Sequence, residues 1–270
     1  MFGVSDSTRT AVATAALVSV PVTTMWIAPD SPRTVDAPIT ADSPDAERWL
    51  AGLDARPEDD ESGDGRLGLH GRIESQLVAG EPVRVVGADE SGRWSRVVAP
   101  WQLSPKDDAG YPGWVPTAHL SPVAAGESPA TESVAGAPVA TVDAATLDAE
   151  HPALALAREH LGLLYLWGGL TPLGLDCSGL VHHTWRRFGI VVPRDAYAQA
   201  EFAEPVALDA VAPGDLYFFA RPGRRIHHVG IVVRPGRMVH ASETGGVLVE
   251  EDLTADRIDT LVVAGRLPRP

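Results

Sequence analysis

The sequence predicts an α+β protein in two parts: a small β-rich unit, then a domain in which helices precede an antiparallel sheet. Three observations carry that prediction. Short β-branched runs separated by turn residues fill 67–122, and a stretch rich in Ala, Pro, Ser, Thr and Glu occupies 123–147. From 148 to 270 two helical repeats give way to five strand-like runs. At about 150 residues per domain, a chain of 270 agrees with the division.

Each element has a local reason. The segment AVATAALVSVPVTTMWIA at 11–28 reads as a strand, because Val18, Val20 and Val22 alternate with smaller or polar residues. As an export signal it is weak. Arg9 is its one basic residue, Asp6 opposes it, four Thr or Ser residues dilute it and Pro21 breaks it. It is also too short and polar to span a bilayer, so a cytoplasmic location is expected, with export the alternative. Residues 1–66 as a whole are read as a first β-barrel or an extension of the second, closing on the acidic loop DARPEDDESGDG at 54–65.

Within 67–122, VRVVG and WSRVV flank ADESGR as a hairpin, and the polar loop WQLSPKDDAGYPG precedes the strand-like GWVP, the pattern of a small barrel. In the second half HPALALAREHLG carries Leu154, Leu156, Ala157 and Leu161 at helical spacing and stops at Gly162. A second helix begins near Cys177, carries Leu180, Val181, Trp185 and Phe188, and ends at Gly189. The strands are DLYFF, HHVGIVV, RMVHAS, GVLVEE and TLVVAGRL, with turns at Pro222-Gly223 and Pro235-Gly236. His182 and His183 read as surface residues of the second helix, and Trp94 and Trp114 as barrel core.

Composition excludes several functions. A formal charge of −14 repels phosphate backbones and anionic lipid, which argues against nucleic-acid and membrane partners. A single cysteine excludes an internal disulfide framework and multi-cysteine metal sites, and no HExxH is present, so no metal or cofactor is implied. Arginine outnumbers lysine 21 to 1, a bias that reads as base composition and says nothing about substrate.

The thiol is the feature to explain. Cys177 lies in GLDCSGLV where a loop becomes a helix, and the free N–H groups and dipole of a helix start lower a thiol's pKa. Its small polar neighbours Asp176, Ser178 and Gly179 do not resemble core. A nucleophilic thiol needs a base and a group to orient it, and His227, His228 and His240 are the downstream candidates. Spacing leaves these alternatives open. A tight hairpin at Pro235-Gly236 would put His228 and His240 on opposite faces of the sheet, so a catalytic pairing requires a bulge or an odd-numbered loop.

Six motifs in order, YLWGG, LDCSGLV, PRDAYAQ, PGDLYFF, HVGIVV and VHAS, closely resemble the NlpC-type cell-wall cysteine peptidases, a family of papain-like fold. The likeness covers about 148–270. Residues 67–122, with GEPVRVV and GYPGWVP, resemble the bacterial Src-homology-3-like barrel of the dipeptidyl-peptidase branch. The resemblance implies Cys177 as nucleophile, His228 as general base and His240 as the group that holds its imidazole. His227 is the rival to His228, and only the Val-Gly-Ile that follows favours the latter. The implied substrate is a murein stem peptide with a free N-terminal L-alanine, cut after γ-D-glutamate to release L-Ala-γ-D-Glu during wall-peptide recycling. Asp176, Ser178, Asp195, Tyr111 and Glu74 match positions that bind the substrate and its ammonium, and Tyr165 and Trp167 would wall the pocket. Ala196 departs from the serine of many relatives, which puts one hydrogen bond in doubt. The alternatives are an exported murein endopeptidase with a wall-binding barrel, a silent peptidoglycan-binding protein, and an amidase or acyltransferase using the same pair.

Overall fold

The computed structural model describes residues 13–56, 63–123 and 151–270. The expected linker therefore lies outside the described residues apart from its first position, as does half of the acidic loop. In the first half the strands are β1 (Thr14–Val18), β2 (Val22–Trp26), β3 (Ile73–Val78), β4 (Pro82–Ala88), β5 (Trp94–Ala99), β6 (Tyr111–Pro116) and β7 (Leu120–Pro122). They form one antiparallel sheet in the order β3-β2-β6-β5-β4-β1-β7, an arrangement compatible with a Src-homology-3-like unit. Of the two readings of residues 1–66, the sheet agrees with the extension, because β1 and β2 lie between later strands of the same sheet.

The alternating valines are not one strand either. Pro21 cannot donate to a ladder, and the chain turns at 19–21, so β1 pairs with β4 and β7 while β2 pairs with β3 and β6. The hairpin at 83–98 forms as read, with a bulge between Val85 and Gly87. Two helices absent from the sequence reading, α1 (Ala37–Thr40) and α2 (Ala46–Asp54), follow β2. They are pinned by Trp49, whose indole N–H donates to Asp36 Oδ1 at 2.8 Å, and Arg33 pairs with the same carboxylate.

The second half contains α3 (Pro152–Arg158), the short ladder β8 (Leu170–Thr171) and β9 (Gly174–Leu175), α4 (Cys177–Arg186) and α5 (Ala196–Phe202). Then come β10 (Glu204–Val206), β11 (Leu216–Phe219), β12 (His228–Arg234), β13 (Arg237–Ser242), β14 (Val247–Asp252), α6 (Ala255–Thr260) and β15 (Leu261–Arg266). All five expected strands are present, in a six-stranded sheet ordered β10-β15-β11-β12-β13-β14. Helix α4 lays Leu180, Val181 and Trp185 on Val229, Ile231, Val239 and Ala241 of β12 and β13. Burying Leu180 and Val181 completely is worth about 1.5–3 kcal/mol each. His182, expected on the surface, is fully buried with Nδ1 2.8 Å from the Val192 carbonyl, because α4 is covered on more than one side.

The two halves meet along β3. Gln76 Oε1 accepts hydrogen bonds from Leu170 N–H and Thr171 Oγ1 at 3.1 and 3.0 Å. Arg194 N–H donates to the Leu103 carbonyl at 3.0 Å, and Leu166 joins the Trp26–Trp49 cluster. Gly168, at φ 72°, passes against Ile73 where a Cβ would collide. These contacts fix the first sheet against the loop before α4, which carries the thiol.

Candidate active site

Helix α4 starts at Cys177 because Asp176 caps it. Its backbone is extended, and Oδ1 accepts the Gly179 N–H at 2.6 Å. Cys177 is therefore the first helical residue, yet its thiol is not acidified. Burial, and next the Asp176 charge, push it up to about 12. The expectation of a lowered thiol pKa is thus corrected: desolvation outweighs the helix terminus. Sγ rests against the backbone at the start of β12, 3.9 Å from the His227 carbonyl oxygen.

His228 opens β12 and His240 lies on β13. Near the turn Arg234 faces Arg237, but farther along Val232 faces Met238 and Ile231 faces Val239. The register shifts by one residue at Val233, the irregularity that a catalytic pairing requires. Both histidines consequently share a face, and His228 Nε2 lies 2.8 Å from His240 Nδ1. Gly230, opposite His240, leaves the room that a Cβ would take from Met238 and His240. His240 Nε2 in turn lies 2.9 Å from Glu251 Oε1 on β14. A carboxylate can only accept, so His240 donates Nε2–H to Glu251 and accepts at Nδ1 from His228 Nε2–H. That leaves Nδ1 of His228 with the lone pair. Burial, the neighbouring His240 and Arg257 hold His228 well below the ordinary imidazole value, and burial lowers His240 as well. Thiol and imidazoles are thus held neutral at rest.

A cavity of about 380 Å³ opens over Cys177 between the halves. Tyr165 and Trp167 line it, as expected. At one end the Tyr111 hydroxyl of β6 lies 3.0 Å from Glu74 Oε2 on β3 and 3.0 and 3.1 Å from the two oxygens of Asp195. Three residues far apart in sequence thus form one acidic cradle. Burial raises Asp195 above the usual carboxylate range, and burial with the charges of Asp195 and Glu74 drives the Tyr111 phenol far up, so it stays protonated. Lys106 Nζ joins the cradle, donating to Glu74 and, at 2.8 Å, to the Tyr111 oxygen.

Asp176 and Ser178 line the cavity but are largely committed. Gly179 N–H, Ser178 Oγ and Arg194 Nη1 converge on Asp176 Oδ1, while Arg194 Nη2 takes Oδ2 at 2.7 Å. One lone pair of Oδ2 remains for a ligand, less than the free acceptor expected from sequence. Arg194, only 1% exposed, also reaches Ser178 Oγ at 3.0 Å and Ser75 Oγ of β3 at 2.9 Å. It ties the nucleophile loop to the first sheet. Among the described residues no three His, Cys, Asp or Glu side chains gather as a metal site.

Residues 162–264 match the profile of the NlpC/P60 family. A gamma-D-glutamyl-L-lysine dipeptidyl-peptidase of Bacillus subtilis is 32% identical over 83% of this chain and 88% of its own length. The chain belongs to the NlpC/P60 family. A solved NlpC/P60 family protein from Bacillus cereus superposes with a TM-score of 0.77 at 24% identity, covering 94% of this chain and 99% of that one, and so has the same fold across both halves. A probable endopeptidase p60 of Listeria seeligeri is 41% identical, over only 34% of this chain and 17% of its own.

In this NlpC/P60 cysteine peptidase, sequence reasoning missed three groups that the site uses. Arg194 stands in PRDA beside Asp195, but arginine reads as a surface residue unless a partner is known. Glu251 in GVLVEE has two adjacent acids, and only the β13–β14 register, which sets His240 opposite Val249, brings Glu251 onto the histidine's face. Lys106 was visible as the chain's single lysine.

Proposed function

We propose that this peptidase hydrolyses the bond between γ-D-glutamate and the diamino acid of murein stem peptides with a free N-terminal L-alanine, releasing L-Ala-γ-D-Glu. The observation that carries the reading is the acidic cradle of Tyr111, Glu74 and Asp195 closing one end of the Cys177 cavity. Two carboxylates around a protonated phenol favour an ammonium and disfavour further peptide chain. The likeness to a named dipeptidyl-peptidase over 83% of this chain supports it, whereas the p60 likeness covers only 34%.

Cys177 acts as nucleophile, His228 as base and His240 as the group that orients it. The chemistry begins with the Cys177 thiol turning from the His227 carbonyl toward His228. The imidazole takes its proton as sulfur attacks the γ-carbonyl carbon, and the first-turn N–H groups of α4 supply donors for the oxyanion. Collapse breaks the C–N bond, and the imidazolium protonates the leaving amine. Water, deprotonated by the same imidazole, then hydrolyses the thioester and restores the thiol. His240 holds the ring and shares the positive charge with Glu251. The reading includes cytoplasmic action on recycled wall peptides, which cell fractionation would test.

The test is a mass-spectrometric digest of free and N-acetylated L-Ala-γ-D-Glu-diamino-acid tripeptide, with wild type and Cys177→Ala. Release of L-Ala-γ-D-Glu from the free peptide alone, lost in the variant, is the expected result. Equal cleavage of both peptides would mean an endopeptidase, and cleavage of neither a binding protein.

A further inference from the structure

Glu74 and Asp195 converge on a phenol that has one proton to give. The Tyr111 hydroxyl is within hydrogen-bond distance of both carboxylates, and Tyr197 also bonds Asp195, so both hydroxyl donors of the cradle are neutral. Lys106 adds the positive charge, donating to Glu74 and to the Tyr111 oxygen. A lysine tip is a primary ammonium on a tetrahedral carbon, the same group as a peptide N-terminus. A planar guanidinium fork would not reproduce that group.

We infer that Lys106 is an internal stand-in for the substrate's N-terminal ammonium, holding the acidic cradle in the empty enzyme and leaving it when a free-amine peptide enters. The inference rests on the exopeptidase reading above and adds a specificity-determining residue to it. Two ammonium groups cannot share Glu74 Oε2 and the Tyr111 oxygen, so ligand and lysine compete. Lys106 is able to leave: its side chain is 36% exposed, against 1% for Arg194. It projects from the polar segment between β5 and β6, and its backbone N–H stays tied to Ser104 Oγ at 3.1 Å, so only the side chain must swing into water.

The exchange selects for charge. A ligand with its own ammonium replaces every hydrogen bond that Lys106 gives up. An N-acylated ligand offers a single neutral amide N–H and leaves the two carboxylates without the lysine's charge if it expels it. The cost is affinity, since a site that is self-occupied about nine-tenths of the time binds about tenfold more weakly than an open one.

Because Lys106 is the chain's one lysine, an amine-acylating reagent reports on it uniquely apart from the N-terminus. The experiment uses full-length Cys177→Ala protein with L-Ala-γ-D-Glu or its N-acetyl form, binding followed by calorimetry and labelling by peptide mass spectrometry. The free dipeptide should raise Lys106 acylation several-fold and the N-acetyl form should not. In Cys177→Ala/Lys106→Met, the free dipeptide should bind about tenfold more tightly. Dipeptide binding with Lys106 labelling unchanged or reduced would overturn the inference, leaving the lysine a fixed wall, as would unchanged or weaker binding to the double variant. No dipeptide binding to either protein would instead overturn the exopeptidase reading, and this inference with it.

Discussion

The line Cys177–His228–His240–Glu251 and the cradle Glu74–Lys106–Tyr111–Asp195 lie in one molecule but use opposite electrostatics. Along the line, burial keeps thiol and imidazoles neutral until a proton moves, and Glu251 enters only at the solvent end, with its side chain 38% exposed. In the cradle, charges are gathered before any ligand arrives, and the pairing of Glu74 with Lys106 offsets their repulsion. The line comes entirely from the second half of the chain, whereas the cradle spans both halves. On the proposed function, chemistry and selection should therefore be separable by substitution.

The largest effect should come from the line. Cys177→Ala should lower kcat by about four orders of magnitude or more on any peptide, acylated or free, without loss of thermal stability. Next comes Arg194, which joins the halves. Arg194→Leu leaves the Asp176 carboxylate buried without its partner, and should cost about 3–5 kcal/mol in denaturant unfolding. Smaller and selective is the cradle. Asp195→Asn should raise KM for the free-amine peptide by about ten- to a hundredfold and change cleavage of the acylated peptide little, because a charged hydrogen bond is worth roughly 1.5–3 kcal/mol.

How much of this was legible follows from what each feature depends on. The α4 start was readable because Asp-Cys-Ser-Gly is a local capping signal. The register shift that unites His228 and His240 could be stated as a requirement because strand parity is arithmetic. Glu74, Tyr111 and Asp195 could be named only by resemblance, and Lys106 not at all, since their meeting depends on β3, β6 and the loop before α5 converging in space. Glu251 depends on β13–β14 pairing, which sequence does not reveal. The thiol's pKa was misjudged because helix-start electrostatics is local, whereas burial is a property of the whole fold. Whether β1 and β2 form a barrel of their own or extend the later sheet stayed open, because their partners lie some 50 to 100 residues later in the chain.

Two finer effects sharpen the comparison. Glu251→Gln should lower kcat about tenfold with KM little changed, because an amide that presents N–H toward His240 opposes the tautomer in which it orients His228. The neutral resting pair also fixes the pH behaviour. Alkylation of Cys177 should climb steadily toward pH 12, where an ion pair would have levelled off in acid. Stability should fall as pH drops below 6.5, because the unfolded chain protonates His182 and His228 while the folded chain keeps them neutral. Thermal melts from pH 7 to 5 read this directly.

The central claim is that the first half of the chain chooses the substrate. The most direct measurement is the ratio of kcat/KM for free over N-acetylated tripeptide in wild type and in Glu74→Gln/Tyr111→Phe, both substitutions lying outside the catalytic half. The ratio should fall by at least about tenfold while turnover of the acetylated peptide persists. An unchanged ratio in a folded double variant would contradict the account and return the choice of substrate to the peptidase half alone.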